Sequence, residues 1–321
     1  MGESVSLERS EAAQHLALEW AATQVSFTWM GNRKTLDKGQ KQEAAEQFGA
    51  DAAVLSASSK LLDNKHKAYK AVTAAKTAIR NYWIDHTLPY PEDGVRLLRQ
   101  SNVASFTARM DDLRMRLHGT VIGLENAYQQ LREKARRDRG SLFKEADYPP
   151  TLVGLFDVAW DFPSLAPPEW LLTRNPELYQ QQAARIAARF DEAARMAEDA
   201  FITELSDLVE TLTRKLRGLD DGTEKRLMES TVGNLTDFFQ RFKSLNIHSS
   251  EELDRVVEQA QAAMSGKQLF GGSPLTVEEL RTSQSLRADV ATRLSVVGAQ
   301  LEGMMVNTPR RAITRRPKTE E

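Results

Sequence analysis

Side chains that could transfer protons or bind a metal are spread thinly along this sequence. Its histidines are His15, His66, His86, His118 and His248, and no two of them form the HxxxH or HExxH spacing that places two ligands on one helical face. His86 lies close in sequence to Asp85, Glu92 and Asp93. An acid–base or metal site around His86 and Asp93 is one hypothesis, and capping of a loop by the same carboxylates is the alternative that we favour.

Other signatures of catalysis are missing from the sequence. The chain has no cysteine, which excludes disulfides, Cys-ligated zinc, iron–sulfur clusters and thiol nucleophiles. It contains no GxxxxGK[ST], GxGxxG or GxSxG motif, and its paired carboxylates fall on helix faces that are predicted to be solvated. We therefore expect a protein without catalytic residues and without a cofactor or metal.

Two basic clusters are candidates for contact with phosphates. The first comprises Arg132, Arg136, Arg137, Arg139 and Lys144, and the second comprises Arg310, Arg311, Arg315, Arg316 and Lys318. The net charge of the chain is only −2, so nucleic-acid binding would depend on such a local patch. The first cluster could instead offset a helix dipole, and the second could dock on an acidic partner protein.

An aromatic and proline-rich segment, residues 141–174, separates two long helical stretches. It contains "YPPTLVGLFDVAWDFPSLAPPEWLL", and a segment so long and apolar must pack on itself or on a partner. Its candidate partner-binding residues are Tyr148, Phe156, Trp160, Phe162 and Trp170. Tyr148, Trp160 and Trp170 could also stack on bases beside the first basic cluster.

The two helical stretches around this connector have the clearest periodicity in the chain. In the first, apolar residues recur every three or four positions: Val103, Phe106, Met110, Leu113, Leu117, Val121, Leu124, Tyr128, Leu131 and Ala135. The second follows the pattern Ile186, Phe190, Ala194, Ala197, Phe201, Leu205, Leu208, Leu212 and Leu216. We expect the two helices to bury each other as an antiparallel coiled-coil hairpin, with His118 flanking its core.

Two short segments have the alternation of β-strands. Val25, Phe27 and Trp29 alternate with polar residues, and Phe156–Trp160 is bounded by prolines. Pairing of these strands would bring the connector back to the base, which conflicts with a connector at the hairpin tip.

The stretch "TLPYPEDGVRLL", residues 87–98, is predicted to be a corner, because its prolines end a helix and Asp93-Gly94 supplies a turn.

These patterns predict a mainly α, elongated helical protein: a long hairpin on a helical base, with a small β element allowed. The expected organisation is a helical base with a short strand (1–100), the hairpin with its connector (101–217), C-terminal helices that complete the base (218–305) and a disordered basic tail (306–321). The chain lacks a secretory signal pattern and a transmembrane run, so we expect a cytoplasmic protein. Gly2 and Ser6 formally match a myristoylation pattern.

Three blocks of residues carry a resemblance to a known family. They are Thr87-Leu88-Pro89 with Gly94 and Arg96-Leu97-Leu98, then Tyr148-Pro149 with Phe156, and then Leu245-Asn246-Ile247. Through these blocks, over about residues 50–300, the chain resembles the DUF3150 family of uncharacterised bacteriophage and mobile-element proteins. It departs from the family pattern after the second block, where "APPEWLL" replaces Pro-x-x-x-x-Phe-Arg.

The resemblance implies partners and not chemistry. Genes of the family often lie near those of MoxR-type AAA+ ATPases and von Willebrand A-domain proteins, which implies an adaptor in an ATPase-driven assembly in bacterial or phage-infected cells. The leading hypothesis is a non-enzymatic scaffold or adaptor that binds such a protein and could self-assemble. The alternatives are a nucleic-acid-binding protein of phage DNA metabolism and, third, an enzyme with a site at His86 and Asp93.

Overall fold

The computed structural model describes residues 11–218, 227–265 and 275–307, which are mainly α-helical. The helices are α1 (Glu11–Glu19), α2 (Lys38–Phe48), α3 (Lys67–Asp85), α4 (Val103–Arg139), α5 (Glu169–Arg174), α6 (Pro176–Arg217), α7 (Glu229–Leu245), α8 (Glu251–Ala263), α9 (Val277–Thr282) and α10 (Gln284–Asn307). The strands are β1 (Trp20–Trp29), β2 (Arg33–Thr35), β3 (Ser58–Lys60), β4 (Leu88–Pro89), β5 (Val95–Arg99) and β6 (Phe156–Asp161). Within these residues no helix has both the length and the apolar character needed to span a bilayer.

The described residues divide into two compact units, each assembled from separate stretches of chain. The mixed unit comprises residues 21–87 and 94–164, and the helical unit comprises residues 11–20, 88–93 and 165–307. The division assigns α4 to the mixed unit and α6 to the helical unit, whereas the sequence predicts both helices in one domain, 101–217.

The small β element that the sequence allows is present, and it lies in the mixed unit. Strands β1 and β6 pair antiparallel, with Val25 opposite Trp160, Phe27 opposite Val158 and Trp29 opposite Phe156, and β5 lies on the other side of β1. The apolar residues of both strands pack on the core of the unit. The connector therefore returns to the sheet directly after α4.

The apolar stripe of α4 is buried as its periodicity predicts. All nine predicted positions from Phe106 to Ala135 are buried, and they form one core with Tyr69, Val72 and Ile79 of α3. Helix α3 is the main helical partner of α4, and the rings of Tyr82 and Phe106 stack with their centroids 5.5 Å apart.

Helix α6 organises the helical unit. Asn175 caps its first turn by accepting a hydrogen bond from the Leu178 backbone N–H at 3.1 Å, with Pro176 at the first helical position, as predicted. Its main partner is α10, and α1, α7 and α8 also pack on it. Phe201 meets α7 edge-on at Phe238 and Phe242, with centroid distances of 6.2 and 5.0 Å.

The predicted antiparallel hairpin of the two long helices is not confirmed. The stripe of α4 is buried from Phe106 to Ala135, and that of α6 is buried except at Ile186 and Leu208. However, α4 has α3 as its main helical partner and α6 has α10. The spacing of apolar residues determines which face of a helix is buried, but it does not identify the element that covers that face.

The predicted tail lies outside the described residues, apart from the end of α10, and so do Gly2 and Ser6.

The corner predicted at residues 87–98 is confirmed. Gly94 has a φ of 78°, which a residue with a side chain rarely adopts. The Arg96 guanidinium donates to the Thr87 hydroxyl at 2.7 Å and to the Thr87 carbonyl oxygen at 2.8 Å. Burial lowers the pKa of Arg96 to about 10, so this side chain is still charged at neutral pH.

The burial of the α4 stripe predicts different effects of two substitutions in that helix. Leu117 is fully buried, and Leu117→Ala should lower the free energy of unfolding by about 3 kcal/mol through lost apolar burial and the cavity left behind. Met115, two residues away, is 66% exposed, and Met115→Ala should change it by no more than about 0.5 kcal/mol. Urea denaturation followed by circular dichroism measures both, and equal effects would contradict this packing of α4.

Candidate functional site

The connector aromatics predicted to bind a partner do not form one surface. Tyr148 and Phe156 are buried in the core of the mixed unit. The Tyr148 hydroxyl donates to the Leu61 carbonyl oxygen at 2.9 Å, and its ring stacks on Phe143 with centroids 4.7 Å apart. Phe156 meets Trp29 edge-on at 4.9 Å. These two residues are therefore structural in the described chain.

The other three aromatic candidates are increasingly exposed along the connector. Trp160 on β6 is half-buried and packs against the core of the mixed unit. Phe162, at the end of that unit, is 39% exposed. Trp170 on α5, in the helical unit, is 64% exposed, and its neighbour Leu171 is buried. Of the predicted partner-binding residues, Trp170 thus offers the most apolar surface to solvent.

Most of the basic cluster at the end of α4 is paired with carboxylates. Arg132 and Arg136 both form ion pairs with Glu145, the second at 2.7 Å. Lys144 lies 3.0 Å from the carboxylate of Asp37. Arg137 is exposed and makes no ion pair within the described part of the chain. The cluster is dense in sequence, but most of its charge is compensated in space.

Arg139, the fourth arginine of this cluster, is a buried structural residue. Its side chain is 7% exposed and donates to the Tyr148 hydroxyl and to the Ser59 hydroxyl, each at 3.0 Å. The carboxylate of Asp147, equally buried, lies 3.8 Å from Arg139 and 2.9 Å from Lys34. Arg139 therefore links the end of α4 to the segments around Ser59 and Tyr148, and its buried side chain is not accessible to a phosphate group.

A charged cluster between α4 and β6 was not predicted from the sequence. Arg114 donates to both oxygens of Asp157, at 2.9 and 2.7 Å, and His118 Nε2 lies 2.9 Å from the same carboxylate. The hydrogen bonds from Arg114, assisted by that from His118, hold the pKa of Asp157 well below its usual range. His118 was expected to flank the core, and it lies at the surface as part of this cluster, because Asp157 is brought beside it by a strand about 40 residues later.

The two residues of the enzyme hypothesis fall in different units of the chain. His86 ends α3, where its Nδ1 lies 2.8 Å from the Tyr82 carbonyl oxygen and its ring packs on Tyr82. His86 belongs to the mixed unit and Asp93 to the helical unit. Among the described residues, no group of three or more His, Asp or Glu side chains is placed to hold a metal ion.

A second feature that the sequence did not reveal is a cavity of about 1180 Å³ in the helical unit. Its walls are residues 90–93, one face of α6 and Met305 of α10. Glu198 of α6 lies in this wall, and burial raises the pKa of its carboxyl group. A sequence signal would have been the i, i+3, i+7 spacing of Glu192, Arg195 and Asp199, but that spacing is equally typical of a solvated helix face.

Comparisons with protein-family models, with curated proteins and with solved structures found no match for this chain. The resemblance to the DUF3150 family therefore stays a prediction that rests on the quoted blocks of sequence. In the structure, the residues of those blocks are mostly buried: Leu97 and Leu98 in the corner, Leu245 at the end of α7 and Ile247 just after it. The burial of these residues explains a role in local packing, and it does not indicate a catalytic or binding role for any of them.

The environment of Arg139 predicts a large loss of stability on its removal. Arg139→Ala should lower the free energy of unfolding by about 3 kcal/mol, because it removes the buried donor to the Tyr148 and Ser59 hydroxyls and one of the two cations beside the buried carboxylate of Asp147. Arg137→Ala, a charge deletion two residues earlier at an exposed position, should change it by no more than about 0.5 kcal/mol. Urea denaturation separates the two outcomes, and a harmless Arg139→Ala would contradict the buried network.

The lowered pKa of Asp157 predicts a pH-dependent contribution to stability. A carboxyl group with a lowered folded-state pKa stabilises the fold at pH values above its unfolded-state pKa, near 3.8, and the contribution is lost as the pH falls below that value. Asp157→Asn should therefore cost about 1 kcal/mol at pH 7, and the difference from the unsubstituted chain should shrink between pH 4 and pH 2.

Asp161 is the control for this experiment, since it lies on the same strand, is exposed and makes no ion pair with a described residue. Asp161→Asn should leave stability nearly unchanged at every pH tested. Urea denaturation at a series of pH values gives both curves, and a pH-independent loss for Asp157→Asn would show that its charge does not contribute.

Proposed function

We propose that this chain is a non-enzymatic scaffold or adaptor that binds a protein partner. The observation that carries the proposal is the exposure of Trp170: its side chain is 64% exposed, whereas Trp20, Phe190 and Phe201 of the same unit are buried. Leu172, on the same short helix α5, is 55% exposed. Tryptophan is the residue most enriched in the energetically dominant centres of protein interfaces, since its burial removes a large apolar area from water.

The partner class in this proposal comes from the resemblance described above. It is an AAA+ ATPase or a von Willebrand A-domain protein, in a cell that carries a phage or mobile element. Self-assembly is a second part of the proposal, and the native mass of the purified full-length chain tests it.

The alternative, nucleic-acid binding through the end of α4, has less support. Four of its five candidate side chains face carboxylates, and Arg139 is buried. Phosphate contact would have to break these ion pairs before it released counterions from the nucleic acid. An enzymatic function has no supporting constellation among the described residues.

The adaptor proposal predicts that partner capture depends on Trp170. Tagged full-length chain, captured from cells that carry its gene, should retain an AAA+ ATPase or von Willebrand A-domain protein, quantified by mass spectrometry. Trp170→Ala should lower the retained amount at least about tenfold, which corresponds to about 1.4 kcal/mol of binding free energy. Phe48, at the end of α2, is 76% exposed, and Phe48→Ala is the matched control that should retain the partner.

Two outcomes would count against this proposal. Equal retention by the Trp170→Ala and Phe48→Ala variants would show that the connector is not the docking surface. Recovery of nucleic acid that is insensitive to Trp170→Ala and lost on a rise in salt from 50 to about 200 mM would favour the nucleic-acid alternative.

A further inference from the structure

Helix α4 carries apolar residues on its solvent-facing side as well as on its buried side. Met115 is 66% exposed and Ile122 is 58% exposed, and Gly119 and Gly123 are exposed between and beside them. Steps of four, three and one residues place these four positions on one side of the helix, opposite the buried Leu117. We call Met115, Gly119, Ile122 and Gly123 the outer patch of α4.

The two glycines of the outer patch are not required by packing within the described chain. A Cβ atom added at Gly119 or at Gly123 would meet no atom within 4 Å, and neither residue has a positive φ. Glycine in the interior of a helix is destabilising relative to alanine. What the two glycines provide is open space beside Met115 and Ile122, and such space allows a second helix to approach α4 closely.

We propose that the outer patch binds the same patch of a second copy of this chain, with the two α4 helices antiparallel. The two-fold axis passes between positions 120 and 121, so Ile122 of each copy packs over Gly119 of the other. Met115 of each copy then lies beside Asn126 of the other. Each copy contributes both a projecting side chain and the gap that receives it, as an interface between identical surfaces requires.

The polar residues at the two ends of the outer patch favour the antiparallel orientation. Asp112 and Arg116, an ion pair at 3.2 Å, lie at its N-terminal end, and the uncharged, exposed Asn126 and Gln130 lie at its C-terminal end. Antiparallel helices place the charged end of one copy beside the amides of the other, and an amide both donates and accepts hydrogen bonds. Parallel helices would instead place each charge beside the same charge of the second copy.

This inference specifies the surface for the self-assembly proposed above, and it rests on that part of the proposed function. An apolar centre with a polar rim is the usual composition of such an interface. The inference does not depend on partner capture by Trp170, because Trp170 belongs to the helical unit and α4 to the mixed unit.

The native mass of the full-length chain, measured by light scattering after gel filtration at micromolar concentration, tests the inference. The unsubstituted chain should have twice the mass of one copy. Gly119→Gln with Gly123→Gln should raise the dissociation constant at least about tenfold, because the new side chains fill the space that the second copy's Ile122 requires. Glutamine has a higher helix propensity than glycine, so circular dichroism should show no loss of helix in this variant.

Gly303 of α10 is the matched control. It is an exposed glycine within a helix, and a Cβ atom added there would also meet no atom within 4 Å. Gly303→Gln should therefore leave the doubled mass unchanged. An unsubstituted chain with the mass of one copy would overturn the inference, and so would a dimer that survives Gly119→Gln with Gly123→Gln.

Two further readings separate this inference from the adaptor proposal. Trp170→Ala should keep the doubled mass, so loss of partner capture by an intact dimer supports both proposals. If the unsubstituted chain is monomeric and Gly119→Gln with Gly123→Gln abolishes partner capture, the outer patch binds a different protein, which overturns self-association.

Disulfide formation tests the orientation, since the sequence contains no cysteine. Chains with Met115→Cys and chains with Asn126→Cys, mixed and mildly oxidised, should form the mixed disulfide at least about tenfold faster than either chain forms a disulfide with itself. In the antiparallel pair the two Met115 positions lie about 16 Å apart along the helix axes. A disulfide bridges Cα atoms no more than about 7 Å apart. Faster self-linkage of each single variant would indicate parallel helices and would overturn the arrangement.

Discussion

The apolar stripe of α4 is the constraint on which the mixed unit depends. A helix of 37 residues is about 55 Å long, whereas α3, with 19 residues, is about 28 Å long and can cover only half of it. The connector covers the remainder: the Tyr128 hydroxyl donates to the Pro149 carbonyl oxygen at 2.8 Å, and the Leu152 N–H donates to Glu125 at 2.7 Å. Tyr148 and Phe156 are buried because they help to cover the apolar stripe of α4, and as buried residues they cannot be part of a docking surface.

The same packing explains the fate of the basic cluster. Where the connector closes over the end of α4, it brings Glu145 and Asp147 beside the arginines, and Asp37 reaches Lys144 from more than a hundred residues earlier. Charges that are adjacent in sequence are thereby neutralised by partners that are distant in sequence. Arg137 remains exposed.

Sequence reasoning predicts local features of this protein well and their partners poorly. The buried positions of α4, the cap at Asn175 and the two strands Val25–Trp29 and Phe156–Trp160 follow from periodicity and local hydrogen bonding, whereas the sequence leaves the pairing of the strands open. The packing of α3 on α4 and of α10 on α6 cannot be predicted in this way, because the spacing of a helix's apolar residues is compatible with any apolar face as its partner. The Arg114–Asp157 pair depends on the packing of β6 on α4, and the cavity depends on the packing of residues 90–93 and α10 on α6, so neither could be predicted.

The corner at residues 87–98 shows how structural and functional positions are interleaved in this chain. The positions that the family resemblance specifies build the corner: Arg96 binds Thr87, Gly94 supplies the turn, and the leucines are buried. The four positions that it leaves open are residues 90–93, and these are the ones that line the cavity. The same stretch of twelve residues thus supplies both the contacts that build the corner and four side chains that line the cavity.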